Sequence, residues 1–233
     1  MVSRQTDTKE KIVKLIQKLD NAEGLELEST KYKLEQLGRS VTLPFFENWD
    51  SFNNKQKFHT IDLLGKLNSS VVSRKASQKY LVEEDQKLKA SLITLIGNSG
   101  NSKDIPILAK ALNSSDKRIR ANAVEAISRV GGREIIHLLL PLLKDTNNRV
   151  KANTAKALWE FEEARQLVKN VFEDMVKDNS KWMKASAYYA FGEIGLMDFF
   201  NLLLESLDED DEDIARNAVL ALVGYADKYG EII

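Results

Sequence analysis

Two histidines, His59 and His137, and an acidic run from Asp208 to Asp213 are the features of this 233-residue chain that come nearest to catalytic or metal-ligating chemistry. Cysteine is absent, which excludes thiolate metal sites, a cysteine nucleophile and a disulfide scaffold. His137 stands between Ile136 and Leu138 and reads as a satisfied, partly buried side chain rather than a base. The acidic run could attract a hard cation, but it lacks the glycine turn and fixed ligand spacing of a calcium loop. It reads as a charged surface loop that suits the positive end of a following helix. No glycine-rich phosphate loop, nucleophile elbow or His-Glu-x-x-His pattern occurs. No cofactor and no metal are expected, and the expected role is non-enzymatic.

Recognition chemistry is better represented. Ser91, Asn122, Asn153, Ser186 and Asn217 form one column of short polar side chains. An amide both donates and accepts, so such a column could bond the backbone of an extended peptide whatever its sequence. The same residues could instead bond neighbouring helices. A second column, Lys89, Arg120, Lys151 and Lys184, could meet an anionic ligand or pair with aspartates at helix starts. Arg118, Arg129, Arg149 and Lys156 make a basic cluster, with Trp182 and Tyr189 following in the sequence. Arginine and aromatic side chains are the commonest interface anchors. The expected partner-binding residues are therefore Arg118, Asn122, Arg129, Arg149, Asn153, Lys156, Trp182, Ser186, Tyr189 and Asn217, with a protein or peptide as partner.

These columns exist because the sequence repeats itself. Blocks beginning at Asp85, Asp116, Asn147, Ser180 and Asp211 resemble one another, with starts 31, 31, 33 and 31 residues apart. Weaker copies lie near Asn53 and near Ser29 to Gly38. Each block opens on a residue suited to cap a helix. An apolar stripe at helical spacing follows, as in Ile119, Ala123, Ala126, Ile127 and Val130, with alanine where a neighbour must approach closely. This is helix B of each unit. Helix A lies between blocks, over 105–112, 135–143, 167–176 and 199–207. Gly97, Gly100, Gly131, Gly132 and Gly195 stand where helix B should stop, which suits a left-handed cap. Pro141 should kink or end a regular helix. A hairpin of about 31 residues cannot bury its own apolar face, so the hairpins must stack into a continuous core. The expected fold class is all-α, an α-solenoid of six to seven hairpins. It would form a single domain over 1–233: a degenerate cap at 1–52, repeats over 53–222 and a tail at 223–233.

Composition agrees. Hydrophobic residues make up 43%, enough for a core. The net charge of −1 conceals +6 over residues 1–120 and −7 over 121–233. A nucleic-acid binder normally carries a clear basic excess, so nucleic acid is not the favoured partner. The apolar stretch 135–143 has about half of the roughly 20 residues a membrane span needs, so no membrane association is expected. The N-terminal residues, with Asp7 and Glu10, do not read as a signal peptide, and a cytoplasmic protein is expected.

The block Asp-x-x-Ile/Val-Arg/Lys-x-x-Ala-x-x-Ala-Leu resembles helix B of HEAT repeats. Ala190-Phe-Gly-Glu-Ile-Gly195 and Leu95-Ile-Gly-Asn-Ser-Gly100 are similar to the Ala-Leu-Gly-x-Ile-Gly of the short HEAT-like repeats first named after phycobilin lyases. The resemblance covers about 85–222. Departures are Ala215 in place of a basic residue, and Asn147 and Ser180 in place of Asp. It implies a scaffold or adaptor that binds a partner on the concave helix-B face; armadillo proteins, relatives of HEAT repeats, use an asparagine ladder in that way. The alternatives it leaves are a DNA-glycosylase-like nucleic-acid binder, using Arg118, Arg149, Lys156, Trp182, Tyr189 and Glu193, or a bilin-lyase-like subunit.

Overall fold

The computed structural model describes residues 2–230, with side chains from Asp7 onward. Among the described residues every regular element is helical, and none is long and apolar enough to cross a membrane. The fold is all-α, an α-solenoid built from helical hairpins. The chain divides into two compact units, Met1–Gly132 and Arg133–Ile233.

The first unit contains α1 (Val2–Lys18), α2 (Gly24–Leu37), α3 (Thr42–Glu47), α4 (Asn54–Gly65), α5 (Ser70–Val82), α6 (Gln86–Ser99), α7 (Ile105–Leu112) and α8 (Lys117–Val130). Here α4, α6 and α8 are the B helices, and α6 packs against both others. Their apolar stripes supply Leu64, Leu92, Ile93, Ile96, Ile119, Val124 and Ile127, all buried. Each such side chain contributes about 1.5–3 kcal/mol by leaving water. The segment expected as an N-terminal cap is packed around aromatic rings: Phe45 lies 5.1 Å from Trp49, and Phe46 stacks on Trp49 at 5.8 Å. The buried Trp49 indole donates to Glu83 at 2.8 Å.

The second unit contains α9 (Ile136–Leu139), α10 (Asn148–Trp159), α11 (Arg165–Lys177), α12 (Lys181–Ile194), α13 (Phe200–Glu205) and α14 (Glu212–Tyr229). Its B helices are α10, α12 and α14, with α12 packed against both others. Pro141 acts as expected: after the single turn of α9 the chain tightens into a 3-10 segment over Leu140–Lys144. Residues 223–229 of the expected tail are helical, and 231–233 lie outside the described residues.

Helix starts follow the capping chemistry in the sequence. Asp85, Asp116, Asn147 and Asp211 each accept a backbone N–H of the first turn through the side chain; Ser180 does not. Backbone donation from Leu88 and Lys87 holds the Asp85 carboxyl below its usual 3.8, and the Arg118 side chain does the same for Asp116. A depressed folded pKa stabilises the fold above the unfolded pKa, and that stabilisation is lost as pH falls through the folded value. Asp85→Ala is expected to cost about 1 kcal/mol at neutral pH. Asp85→Asn caps without a charge, so between about pH 6 and pH 3 it should lose less stability than the wild type in urea melts. Equal acid sensitivity of the two would remove Asp85 from the pH response.

The glycines correct one expectation. Gly97, Gly100, Gly131 and Gly132 do not take positive φ; only Gly195 of that set is left-handed, at φ 67°. Gly97 lies inside α6, where a Cβ would stand 2.5 Å from the Cβ of Ala126 on α8. Its lack of a side chain permits close packing rather than a turn.

Candidate partner-binding surface

On the first unit, the α8 residues singled out by the sequence are largely engaged with the fold. Asn122 donates through Nδ2 to the Ala90 carbonyl and the Thr94 hydroxyl of α6, each at 3.0 Å. Arg118 folds back on its own cap residue Asp116 at 2.6 Å, and Arg129 approaches Glu125 at 3.8 Å. Both arginines are exposed. Asn122 therefore ties α8 to α6, while Arg118 and Arg129 place cations at the surface.

Between α4 and α6 lies a small open cleft of about 180 Å³, lined by Asp62, Gly65, Ser91, Thr94 and Asn98 among others. Gly65 has no side chain to fill it, and Ser91 of the short polar column lies in its lining. His59, nearby on α4, is held below its ordinary pKa of 6.5, first by burial and then by Lys31 and Lys55. His137, expected to be partly buried, is exposed: α9 is a single turn, and its inward position goes to Leu139.

The second unit gathers the other candidates around α12. Trp182 and Tyr189 are 57% and 49% exposed, whereas Tyr188 is buried, where its hydroxyl accepts from Ser206 at 2.8 Å. Trp182, Ser186 and Tyr189 share one helical face by their i, i+4, i+7 spacing. Lys181 Nζ lies 4.9 Å from the Trp182 ring, and Lys156 Nζ of α10 lies 5.8 Å from the Tyr189 ring. Lys156 also approaches Glu193 at 3.5 Å.

Asn148, which no sequence pattern singled out, fixes this face from α10. Its amide donates to Ser186 Oγ at 2.6 Å and to the Trp182 carbonyl at 3.2 Å. Arg149 is exposed and Asn153 is buried. Asn217 donates at 2.7 Å to the Asp213 carbonyl of its own helix. Four of the five residues of the short polar column are thus spent in three ways: across helices at Asn122 and Ser186, within a helix at Asn217, and in the interior at Asn153; Ser91 lines the cleft beside α4.

Two of the four cations of the second column, and two carboxylates of the acidic run, are engaged within the fold. Arg120 donates to the carbonyls of Ser114 and Ser115 at 2.9 and 3.1 Å. Lys89 lies over the Tyr80 ring at 5.1 Å. In the acidic run, Asp211 and Asp213 both meet Lys181, at 3.3 and 2.9 Å, joining the start of α14 to that of α12. Among the described residues no group of His, Asp and Glu is arranged to hold a metal ion.

Comparison with known proteins speaks to the fold. No curated protein gives a significant match. The YibA protein of Escherichia coli is 17% identical over 96% of this chain and 86% of its own, with a TM-score of 0.58. A designed armadillo repeat protein in complex with peptide (KR)4 is 19% identical over 91% of this chain and 98% of its own, with a TM-score of 0.38. Human deoxyhypusine hydroxylase in complex with glycerol is 10% identical over 95% and 98%, with a TM-score of 0.42. The model of HEAT repeats matches residues 75–159 and 136–223, which together span most of the length and cover the blocks from Asp85 to Leu222. This chain belongs to the HEAT-repeat family.

Proposed function

We propose that the chain is a non-enzymatic interaction scaffold or adaptor, and that the α12 face of its second unit docks a protein or peptide. The carrying observation is the pair Trp182 and Tyr189, two large aromatics about half exposed on one face of a helix whose other large side chains are mostly buried. Exposed aromatics in register, each beside a lysine, have the composition of interface anchors. Ser186 lies between them on α12 and Lys156 beside Tyr189, and we assign Arg149 and Asn217, on the adjacent α10 and α14, to the same surface. Asn153 is buried on α10, the helix that packs against α12. On the first unit, Arg118 and Arg129 offer a cationic surface of their own, and Asn122 sets the position of the helix that carries them.

The test begins with a partner captured on the immobilised chain and identified by mass spectrometry, then titrated against variants. Trp182→Ala and Tyr189→Ala are each expected to weaken binding about 10-fold or more, as truncated aromatic anchors do. Both positions are exposed, so the circular dichroism spectrum should not change. A partner held equally well by the double variant would overturn this assignment.

A further inference from the structure

The outer side of α14 carries apolar side chains at positions that other B helices keep covered. The block spacing aligns Val219 with Tyr188 on α12 and with Ile93 on α6. Tyr188 and Ile93 are buried, whereas Val219 is 49% exposed; Val223 is 53% exposed, and Leu220, at the position of the exposed Tyr189, lies beside them at 56%. Val223 is the counterpart of Gly192, where α12 lies against Ala221 of α14, and of Gly97, where α6 lies against Ala126 of α8. Within each unit, then, this is the side of a B helix on which another helix packs.

The charges indicate which helix fits. Arg216, Leu220, Val223 and Asp227 follow i, i+4, i+7, i+11 spacing and fall within about 60° of arc. Arg216 and Asp227 are both exposed. The stripe is self-complementary: a cation, two apolar residues, then an anion. A second α14 laid antiparallel, with a two-fold axis midway between Leu220 and Val223, sets Leu220 against Val223 of the second copy. It also sets Arg216 against Asp227 of the second copy, and the symmetry supplies both pairs twice. Arg216 already meets Asp213 at 3.1 Å within α14 while its side chain stays largely exposed, and a guanidinium has donors for both carboxylates. A parallel arrangement in register would place like charges together.

We infer that this face of α14 pairs with the same face of a second copy of the chain, forming a closed two-fold dimer. It uses no residue of α12, so it stands or falls separately from the docking surface on that helix.

Sedimentation equilibrium on the full chain tests it. The wild type is expected to be dimeric at tens of micromolar. Val223→Glu is expected to be monomeric with an unchanged helical spectrum, since the position is exposed. Arg216→Asp and Asp227→Arg should each weaken self-association about 10-fold or more, because each alone sets like charges against each other. Mixing those two variants restores opposite charges at both contacts, so a heterodimer should form. A wild type still monomeric at about 100 μM, a dimer indifferent to Val223→Glu, or a mixture no more associated than its components would overturn the inference.

Discussion

Phe191→Ala is expected to destabilise the second unit by about 3–5 kcal/mol, the upper end of what a single core truncation costs. Phe191 is fully buried on α12 and lies where three segments meet. Its ring meets Phe172 of α11 edge-on at 5.0 Å and stacks on Phe199 at 4.4 Å, with Tyr188 at 6.0 Å. Removing it takes away an apolar side chain and also the partner of three other rings, so the cavity cannot close by a small shift of one neighbour. Phe191→Leu keeps most of the volume and should cost roughly half as much or less. Denaturant melts of the three proteins would show the order. A loss below about 1 kcal/mol for the alanine variant would mean that the cluster relaxes freely and does not hold α11 to α12. Because α12 also carries Trp182 and Tyr189, a partner should bind the alanine variant less tightly at temperatures near its lowered midpoint.

Local signals in the sequence were the readable ones. Cap residues, the proline break at Pro141 and the 31-residue period each depend on a few neighbouring positions, and the helices follow them closely. Contacts between repeats were harder. Asn122 is a peptide-type ligand or a strut depending on whether Thr94 and the Ala90 carbonyl stand opposite it, and that depends on how α6 and α8 slide against each other. The same holds for Asn148, whose amide reaches Ser186 across the gap to α12. For His137 the apolar neighbours suggest burial, whereas a one-turn helix can point only a few of its residues inward. Tyr188 and Tyr189 show what periodicity can and cannot resolve. One of two adjacent tyrosines had to face inward, and the helical phase set by Ala187 and Phe191 gives that place to Tyr188.

Gly97→Ala sets two known effects against each other, and packing is expected to win. In an unpacked helix the change would stabilise by about 1 kcal/mol through helix propensity. In α6 the new Cβ would stand 2.5 Å from the Ala126 Cβ and 2.6 Å from its Cα, so α6 and α8 would have to part. Overpacking of this kind costs about 1–3 kcal/mol, which outweighs the propensity gain at most of that range. Gly192→Ala should behave alike, because its Cβ would stand 2.6 Å from the Cα of Ala221 on α14. Gly65→Ala is the control. Its new Cβ would come closest to the end of the Asn98 side chain, at 3.3 Å, and that amide can rotate away. It should therefore be neutral or slightly stabilising. Urea midpoints of the three variants should separate Gly97 and Gly192 from Gly65 in sign. Pairing Gly97→Ala with Ala126→Gly moves the missing methyl to the other helix and should recover part of the loss, a coupling of about 0.5–3 kcal/mol. Strict additivity of that pair would mean that the two helices do not meet at these residues.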